Sequence, residues 1–249
     1  MKTVALFSIK GGVGKTSAAV NLAHLAARGG ARTLLWDLDP QGAASFYLRI
    51  RPKLAGGPRR LLKRKNRLAE AIKASDFPGL DVVPADFSLR SLVLALNRLG
   101  DPLARLRRLL RPMRDEYDLV FVDCAPGVSL VSDAVMRASD LVLVPTIPTT
   151  LSLRTYTQLL RHARSRSLGA TIVPFFSMAD RRRRLHRDIM VDFAGRTPEC
   201  SRIYIPYATE VEQMGPRRMP VTAFAPASAP ARAFEQLWAQ VTPRLGKFG

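Results

Sequence analysis

The chain has 249 residues, 47% of them hydrophobic, and a formal net charge of +19 from 39 Lys and Arg against 20 Asp and Glu. This size and apolar content allow one large core, and no apolar run reaches the roughly 18 to 20 residues of a membrane span. Two cysteines are too few for a disulfide scaffold and lack the spacing of a zinc site, so we expect a cytoplasmic protein. The charge indicates a polyanionic partner, nucleic acid before membrane.

Apolar runs typical of buried strands recur along the chain and alternate with helical segments. The runs are Val4 to Ile9, Thr33 to Trp36, Leu80 to Val83, Leu119 to Val122, Leu141 to Val144, Thr171 to Phe176 and Arg202 to Ile205. This alternation predicts an α/β fold, a mostly parallel twisted sheet with helices on both faces, as one domain spanning residues 1–249. The Pro/Ala-rich stretch from Ala223 to Ala231 is predicted to be a short linker before a last helix, Ala233 to Val241.

A glycine-rich segment, Lys10 to Thr16, lies between the first strand and the first helix. Glycines let the backbone wrap closely around an anion, and the free N–H groups of a helix start point at it. Lys15 is placed to reach the β- and γ-phosphates of a nucleotide, and the Thr16 hydroxyl to bind Mg²⁺. The alternative is a glycine turn without a ligand.

Carboxylates follow two other strands, where a parallel sheet binds ligands at its carboxyl edge. Asp37 and Asp39 are two residues apart at a strand end, which puts both side chains on the same side of extended backbone. Asp123 ends a later strand. Each Asp alone has a structural alternative as a helix cap or turn residue. Together, behind a phosphate loop, they indicate a site for Mg²⁺ and phosphate.

Lys10 to Thr16, KGGVGKT, resembles the deviant Walker A box of the ParA/MinD family of P-loop ATPases, which carries a second lysine at the start of the loop. Trp36 to Ser45 resembles the second box of that family, and Asp118 to Gly127 its Walker B segment. Ser177 to Arg181 and Ile205-Pro206 occupy the places of its nucleotide-base and late-strand motifs. The order and spacing agree over essentially the whole chain, and the ParA-like branch fits best.

The resemblance implies ATP and Mg²⁺ as cofactors and a P-loop NTPase fold. It implies nucleotide contacts by Lys10, Gly11, Gly12, Val13, Gly14, Lys15, Thr16, Ser17, Met178 and Pro206. It implies metal binding by Thr16, Asp39 and Asp123, and catalysis by Asp39, Lys10 and Lys15. In this scheme Asp39 orients the attacking water and Asp37 supports the surroundings of the metal. Lys10 reaches the nucleotide of a partner subunit in an ATP-sandwich homodimer, and Gly127 senses the γ-phosphate.

The resemblance further implies that the ATP-bound dimer binds nonspecific double-stranded DNA and associates with the nucleoid. A ParB-like or adaptor protein then stimulates hydrolysis and releases the dimer, which positions a plasmid, a chromosome or a protein complex. We expect the DNA-binding residues among Arg161, Arg164, Arg181, Arg182, Arg183, Arg184 and Arg187. A basic helix, Arg59 to Arg67, is the rival location or a surface for a partner protein. The alternative is that these arginines form a solvated surface that binds no DNA.

Three other functions remain open. Membrane cycling of the MinD kind requires a C-terminal amphipathic helix, and Arg244 to Gly249 is too short and interrupted by glycine, so we expect no membrane partner. Ligase relatives such as amidoligases and synthases generally lack the Lys10 signature, and a small acidic metabolite does not require a charge of +19. A DNA-binding structural protein without ATPase activity is disfavoured by the intact Lys15, Thr16, Asp39 and Asp123. Ser177 departs from the family pattern, since relatives commonly have Asn there, and its side chain has a shorter reach toward adenine.

Overall fold

The computed structural model describes residues 1–51, 67–85, 89, 101–166 and 168–246. The strands are β1 (Lys2–Leu6), β2 (Thr33–Asp37), β3 (Lys73–Ala74), β4 (Leu80–Val83), β5 (Leu119–Asp123), β6 (Leu141–Thr146), β7 (Thr171–Ala179) and β8 (Tyr204–Pro206). The helices are α1 (Lys15–Arg28), α2 (Ala43–Tyr47), α3 (Arg67–Ala71), α4 (Pro102–Leu110), α5 (Leu130–Ala138), α6 (Thr150–Ser165), α7 (Arg184–Arg196), α8 (Thr209–Glu212), α9 (Met214–Arg217), α10 (Val221–Phe224) and α11 (Ala229–Val241). Short 3₁₀ turns follow α4 and α11.

The strands of the described residues form one eight-stranded sheet in the order β3-β4-β2-β5-β1-β6-β7-β8. All neighbouring pairs are parallel except β3 with β4, which is antiparallel. Parallel pairing aligns the carboxyl ends of the three central strands, because Leu6 pairs with Asp123 and Asp37 pairs with Asp123. The predicted α/β fold with a mostly parallel sheet is confirmed.

Successive strand residues point to opposite faces of the sheet, and both faces are covered. Val4 and Leu6 belong to one apolar cluster, in which α1 and α11 supply most of the helical side chains. Ala5 and Phe7 belong to a second cluster on the other face, to which α4, α5 and α6 contribute. Because each central strand is buried on both sides, its sequence is a continuous apolar run with no polar alternation.

One feature, near the end of the chain, differs from the sequence-based expectation. The predicted linker is wrong, since Val221–Phe224 is helical and α11 begins at Ala229, four residues before its predicted start. Ser228 caps this helix by accepting a hydrogen bond from the N–H of Ala231, and Pro230 fits the first turn, where no N–H is needed. The predicted basic helix, Arg59 to Arg67, lies outside the described residues except for Arg67, where α3 begins. No helix within the described part of the chain is long and apolar enough to cross a membrane.

Candidate nucleotide site

The loop between β1 and α1 forms an open anion cradle. Gly12 and Gly14 have positive φ values of 69° and 90°, a conformation that glycine adopts without strain. A Cβ atom added at Gly14 would lie 2.7 Å from the Ser177 hydroxyl oxygen, so the loop could not approach β7 this closely with a larger residue. No side chain caps the start of α1. Its first N–H groups are therefore available to an anion.

Lys15 is buried at the floor of this cradle, with 6% of its surface exposed. Its Nζ donates to the backbone carbonyl oxygen of Lys10 at 3.4 Å, which folds the side chain back over the loop. Burial lowers the pKa of Lys15, while the carboxylates of Asp123 and Asp39 act in the opposite direction. A buried cation with a single backbone acceptor is suited to bind a polyanion.

Asp37 is fully buried and held by its neighbours in the loop after β2. One carboxylate oxygen accepts from the Ser45 N–H at 2.9 Å and the Ser45 hydroxyl at 2.8 Å, and the other accepts from the Asp39 N–H at 3.2 Å. Burial raises the pKa of Asp37, and its hydrogen bonds with Ser45 and Asp39 oppose this shift. The structure thus gives Asp37 an internal set of partners that supports the loop.

Asp123 is also fully buried, but it lacks such partners. Within the described part of the chain, neither of its carboxylate oxygens has a hydrogen-bond partner. Burial raises its pKa well above the ordinary value and nearby Asp37 adds to the shift, whereas the Thr16 hydroxyl and Lys15 pull it down. Thr16 approaches without meeting the geometry of a hydrogen bond. Unpaired buried oxygens beside a hydroxyl suit a hard cation such as Mg²⁺, which prefers oxygen ligands.

Asp39 differs from these two carboxylates because it is partly exposed. It lines a cavity of about 460 Å³ beside the glycine loop, and its Oδ1 accepts from the Gln41 N–H at 2.9 Å. The backbone carbonyl of Asp39 also accepts from the Gly42 N–H at 2.8 Å. The turn therefore fixes the Asp39 carboxylate at the cavity edge, in contact with solvent.

The cavity runs from the glycine loop to the ends of β7 and β8. Among its lining residues are residues 11–17, Asp39, Tyr47, Met178 and Pro206. The pairing of β7 with β8 shifts register between Phe176 and Ala179, and Met178 within this bulge has a φ of 55°. A volume of this size is typical of a small-molecule site. The structure thus brings the predicted nucleotide-binding residues from Gly11 onward, with Met178 and Pro206, to one cavity.

Comparison with known proteins places the chain in a family. A family model described as an AAA domain matches residues 1–167, more than half of the chain. The chain belongs to the ParA/MinD family of P-loop ATPases. An uncharacterized protein of Pseudomonas putida is 37% identical over 145 residues, which cover 58% of this chain and 55% of that protein. The matched part is thus little more than half of that relative.

Two further proteins are similar to this chain over nearly its whole length. The chromosome-partitioning ATPase Soj of Treponema pallidum is 26% identical over 254 residues, covering 99% of each protein. Among solved structures, an ATP complex of a Cyanothece McdA variant superposes with a TM-score of 0.83 at 21% identity, covering 99% of this chain and 96% of that one. At this identity the superposition establishes the shared P-loop ATPase fold.

Lys10, the second lysine of the ParA/MinD signature, is exposed. Its backbone N–H donates to the Ser8 hydroxyl at 3.3 Å. Together with Thr155 and Tyr156 of α6, Lys10 lines a small cleft of about 10 Å³. The two lysines thus differ in their surroundings: the Lys10 side chain is exposed, whereas Lys15 is buried and its Nζ contacts the Lys10 backbone carbonyl.

The predicted DNA-binding arginines are all exposed, on α6 and around the start of α7. The two helices are neighbours on one face of the sheet, where the rings of Tyr156 and Phe193 are 5.5 Å apart. Arg182 pairs with Asp180 through two hydrogen bonds of 2.9 and 3.0 Å, and Arg184 approaches Asp188 at 3.5 Å. These carboxylates reduce the local positive charge near α7.

Sequence reasoning assigned no role to two residues, one in the nucleotide site and one on the basic surface. Ser45 ends the second box, but its contacts with Asp37 are visible only in the structure. Arg154 is exposed on α6 and lies seven residues before Arg161, so both belong to the same face of the helix. That spacing was visible in the sequence. The helix contains no acidic residue, so all the charges on its outer face are positive.

Proposed function

We propose that this protein is an ATP-dependent dimerising ATPase of the ParA type, which binds nonspecific DNA and positions a cargo. The single observation that carries the proposal is the meeting of three groups at the uncapped start of α1: buried Lys15, partly exposed Asp39, and Asp123, whose oxygens have no hydrogen-bond partner among the described residues. Lys15 can bind phosphate, Asp123 can bind a metal ion, and Asp39 can contact a water molecule. This is the set of groups that phosphoryl transfer to water requires.

In this proposal the loop N–H groups and Lys15 bind the phosphates, while Met178 and Pro206 border the base. Thr16, Asp123 and Asp39 would hold Mg²⁺, whose chemistry is to neutralise charge on the phosphate oxygens. The fit rests on the two orphaned oxygens of Asp123 beside the Thr16 hydroxyl. Asp39 orients the attacking water, because it combines a fixed carboxylate with access to solvent.

Dimerisation is assigned to Lys10. Its side chain is exposed and can reach the nucleotide of a second copy. A cation supplied by one subunit to the nucleotide of the other makes ATP part of the interface. Hydrolysis then removes the γ-phosphate and weakens the dimer. A ParB-like or adaptor protein accelerates this step, and the cargo is a plasmid, a chromosome or a protein complex.

DNA binding is assigned to the exposed arginines of α6 and the segment around the start of α7. A dimer doubles the number of phosphate contacts, so DNA affinity depends on ATP although the nucleotide does not touch DNA. With about six phosphates neutralised per dimer, affinity should fall by about 10³ between 50 and 200 mM salt. The proposed location in the cell is the cytoplasm, on the nucleoid when ATP is bound.

The direct test is binding of the full chain to duplex DNA of unrelated sequences with ATP, with ADP and without nucleotide, at 50 mM salt. We expect sequence-independent binding with ATP, and its loss in a Lys15→Ala variant. Binding that is equally strong in all three nucleotide conditions would contradict the ATP switch. A protein that does not bind DNA but binds anionic vesicles with ATP would support membrane cycling and contradict DNA binding.

A further inference from the structure

The part of the cavity formed by β8 and the segment after it has apolar walls and an exposed polar pair. Its apolar lining includes Ile205, Pro206, Val211 and Phe234, besides Met178 on the neighbouring strand β7. Such walls accept the faces of a planar base through apolar contact and distinguish poorly between one purine and another. Selection among bases must therefore come from polar groups that meet the edge of the ring.

The polar pair consists of Tyr207 and Glu212, which both line this end of the cavity. The Tyr207 hydroxyl donates to Oε1 of Glu212 at 2.8 Å. The backbone supports this arrangement, because the Tyr207 N–H donates to the Ala179 carbonyl at 3.0 Å and Glu212 ends α8. The hydrogen bond to Glu212 raises the pKa of Tyr207, so the phenol stays a donor. The carboxylate accepts from Tyr207 and keeps capacity for a further donor.

We propose that Glu212, oriented by Tyr207, determines base specificity by accepting a hydrogen bond from the 6-amino group of adenine. The inference rests on the proposed function, since it assumes a purine nucleotide in this cavity. In the same pose, guanine and hypoxanthine present the 6-oxo group, an acceptor, to the carboxylate. Two acceptors facing each other repel, and desolvating them without a partner costs binding free energy.

This assignment gives the chain an adenine contact that does not depend on Ser177. Ser177 is buried, and its hydroxyl lies against the glycine loop at Gly14. The space next to Gly14 is thus taken by Ser177 itself. Recognition of the base edge falls to the segment after β8, where the polar pair is accessible from the cavity.

The test varies the group at purine position 6 and the residue at position 212 together. Binding of ATP, purine riboside triphosphate (hydrogen at position 6) and inosine triphosphate (oxygen at position 6) to the full chain is measured by calorimetry with Mg²⁺. For the wild type we expect ATP to bind about tenfold more tightly than the inosine nucleotide, with the purine nucleotide between them. Glu212→Gln introduces an amide donor, and we expect the preference for ATP over the inosine nucleotide to fall to threefold or less.

Two further variants complete the design. Glu210→Gln removes a carboxylate of the same short helix and should leave the order of the three nucleotides unchanged. Tyr207→Phe removes the orienting hydroxyl but keeps the ring. This variant should reduce the preference for ATP over the inosine nucleotide, but by less than Glu212→Gln does. Equal affinity of the wild type for all three nucleotides, or an unchanged preference in Glu212→Gln, would overturn the inference while Lys15-dependent ATP binding leaves the proposed function standing. Absence of any nucleotide binding by the wild type would overturn both.

Discussion

The N–H and the hydroxyl of Ser45 both donate to the same carboxylate oxygen of Asp37, at 2.9 and 2.8 Å. The Ser45 hydroxyl also accepts from the N–H of Ala85, at 3.1 Å, just beyond β4. A single buried hydroxyl thus joins the ends of β2 and β4, and the other oxygen of Asp37 holds the Asp39 N–H. The position of Asp39 at the cavity edge depends on this network.

Replacing Ser45 by Ala should therefore destabilise the protein. The substitution leaves the Ala85 N–H unpaired and removes one donor from buried Asp37, which costs about 1–3 kcal/mol in the free energy of unfolding. Urea unfolding measures this change. Ser165→Ala is the control, because Ser165 is exposed on α6 and an exposed substitution changes stability by about 0.5 kcal/mol or less. Equal stability of Ser45→Ala and wild type would show that another group takes over these contacts.

Substitutions of the two lysines of the loop should have different effects. Lys15→Ala removes the buried cation of the cradle, so we expect ATP binding to be abolished. Lys10→Ala removes an exposed side chain, so we expect the monomer to bind ATP normally but to form no ATP-dependent dimer. Calorimetry measures the first property and light scattering the second. An ATP-dependent dimer of Lys10→Ala would remove this lysine from the interface.

Asp39→Ala should uncouple binding from turnover. The phosphate contacts of the loop and Lys15 remain, so the variant should bind ATP and stay dimeric. Turnover should fall by about 10² or more, because the attacking water loses the carboxylate that orients it. Phosphate release in single-turnover experiments measures the effect. Normal turnover would transfer the role to another carboxylate, of which Asp37 is the first candidate, although its oxygens are already engaged by Ser45.

The sequence predicted those parts of the site that depend on local pattern. The order of strands and the glycine loop placed Lys15, Asp39 and Asp123 at one edge, because parallel strands end together there. It did not reveal that Asp37 has hydrogen-bond partners while Asp123 has none among the described residues, because the loop conformation that brings Ser45 to Asp37 leaves no residue pattern. The helical character of residues 221–224 was hidden by neighbouring Pro and Ala, because tertiary packing decides the structure of such a short segment.

Acid should destabilise the protein through His24 on α1. Its Nδ1 lies 2.8 Å from the Thr222 hydroxyl and its ring meets Phe77 edge-on at 4.9 Å. Burial, with a smaller effect of Arg28, lowers the pKa of His24 to about 4. Since the unfolded chain takes up this proton near pH 6.5, stability is complete above that pH and is lost as the pH falls toward about 4. The expected loss is about 3 kcal/mol at most.

The His24→Gln variant isolates this contribution. Its glutamine carries no titrating group in this pH range and can still hydrogen-bond with Thr222. The measurement is urea unfolding of both proteins at a series of pH values between 4 and 7.5. The free energy of unfolding of the wild type minus that of the variant should be constant above about pH 6.5 and should decrease steadily as the pH falls below it. Parallel curves down to pH 4 would contradict a depressed pKa of His24.

The last prediction concerns which basic face contacts DNA. On α6, Arg154 and Arg161 share a face with Arg164 nearby, and the helix carries no acidic residue. Near α7, Arg182 is already bound to Asp180, so part of its charge is neutralised before DNA arrives. We therefore expect reversal of Arg161 and Arg164 to Glu to weaken DNA binding more than reversal of Arg182 and Arg184.

Salt dependence distinguishes a direct phosphate contact from a general change of charge. If Arg161 and Arg164 each neutralise one phosphate in each subunit, their reversal should reduce the slope of log affinity against log salt by about 4 per dimer. The control is Arg232→Glu on α11, an exposed arginine of the opposite face of the sheet, which should leave the slope unchanged. ATP binding and dimerisation must be normal in every variant for the comparison to hold. An unchanged slope in the Arg161 and Arg164 variant, with a reduced one in Arg182 and Arg184, would place the DNA at the start of α7.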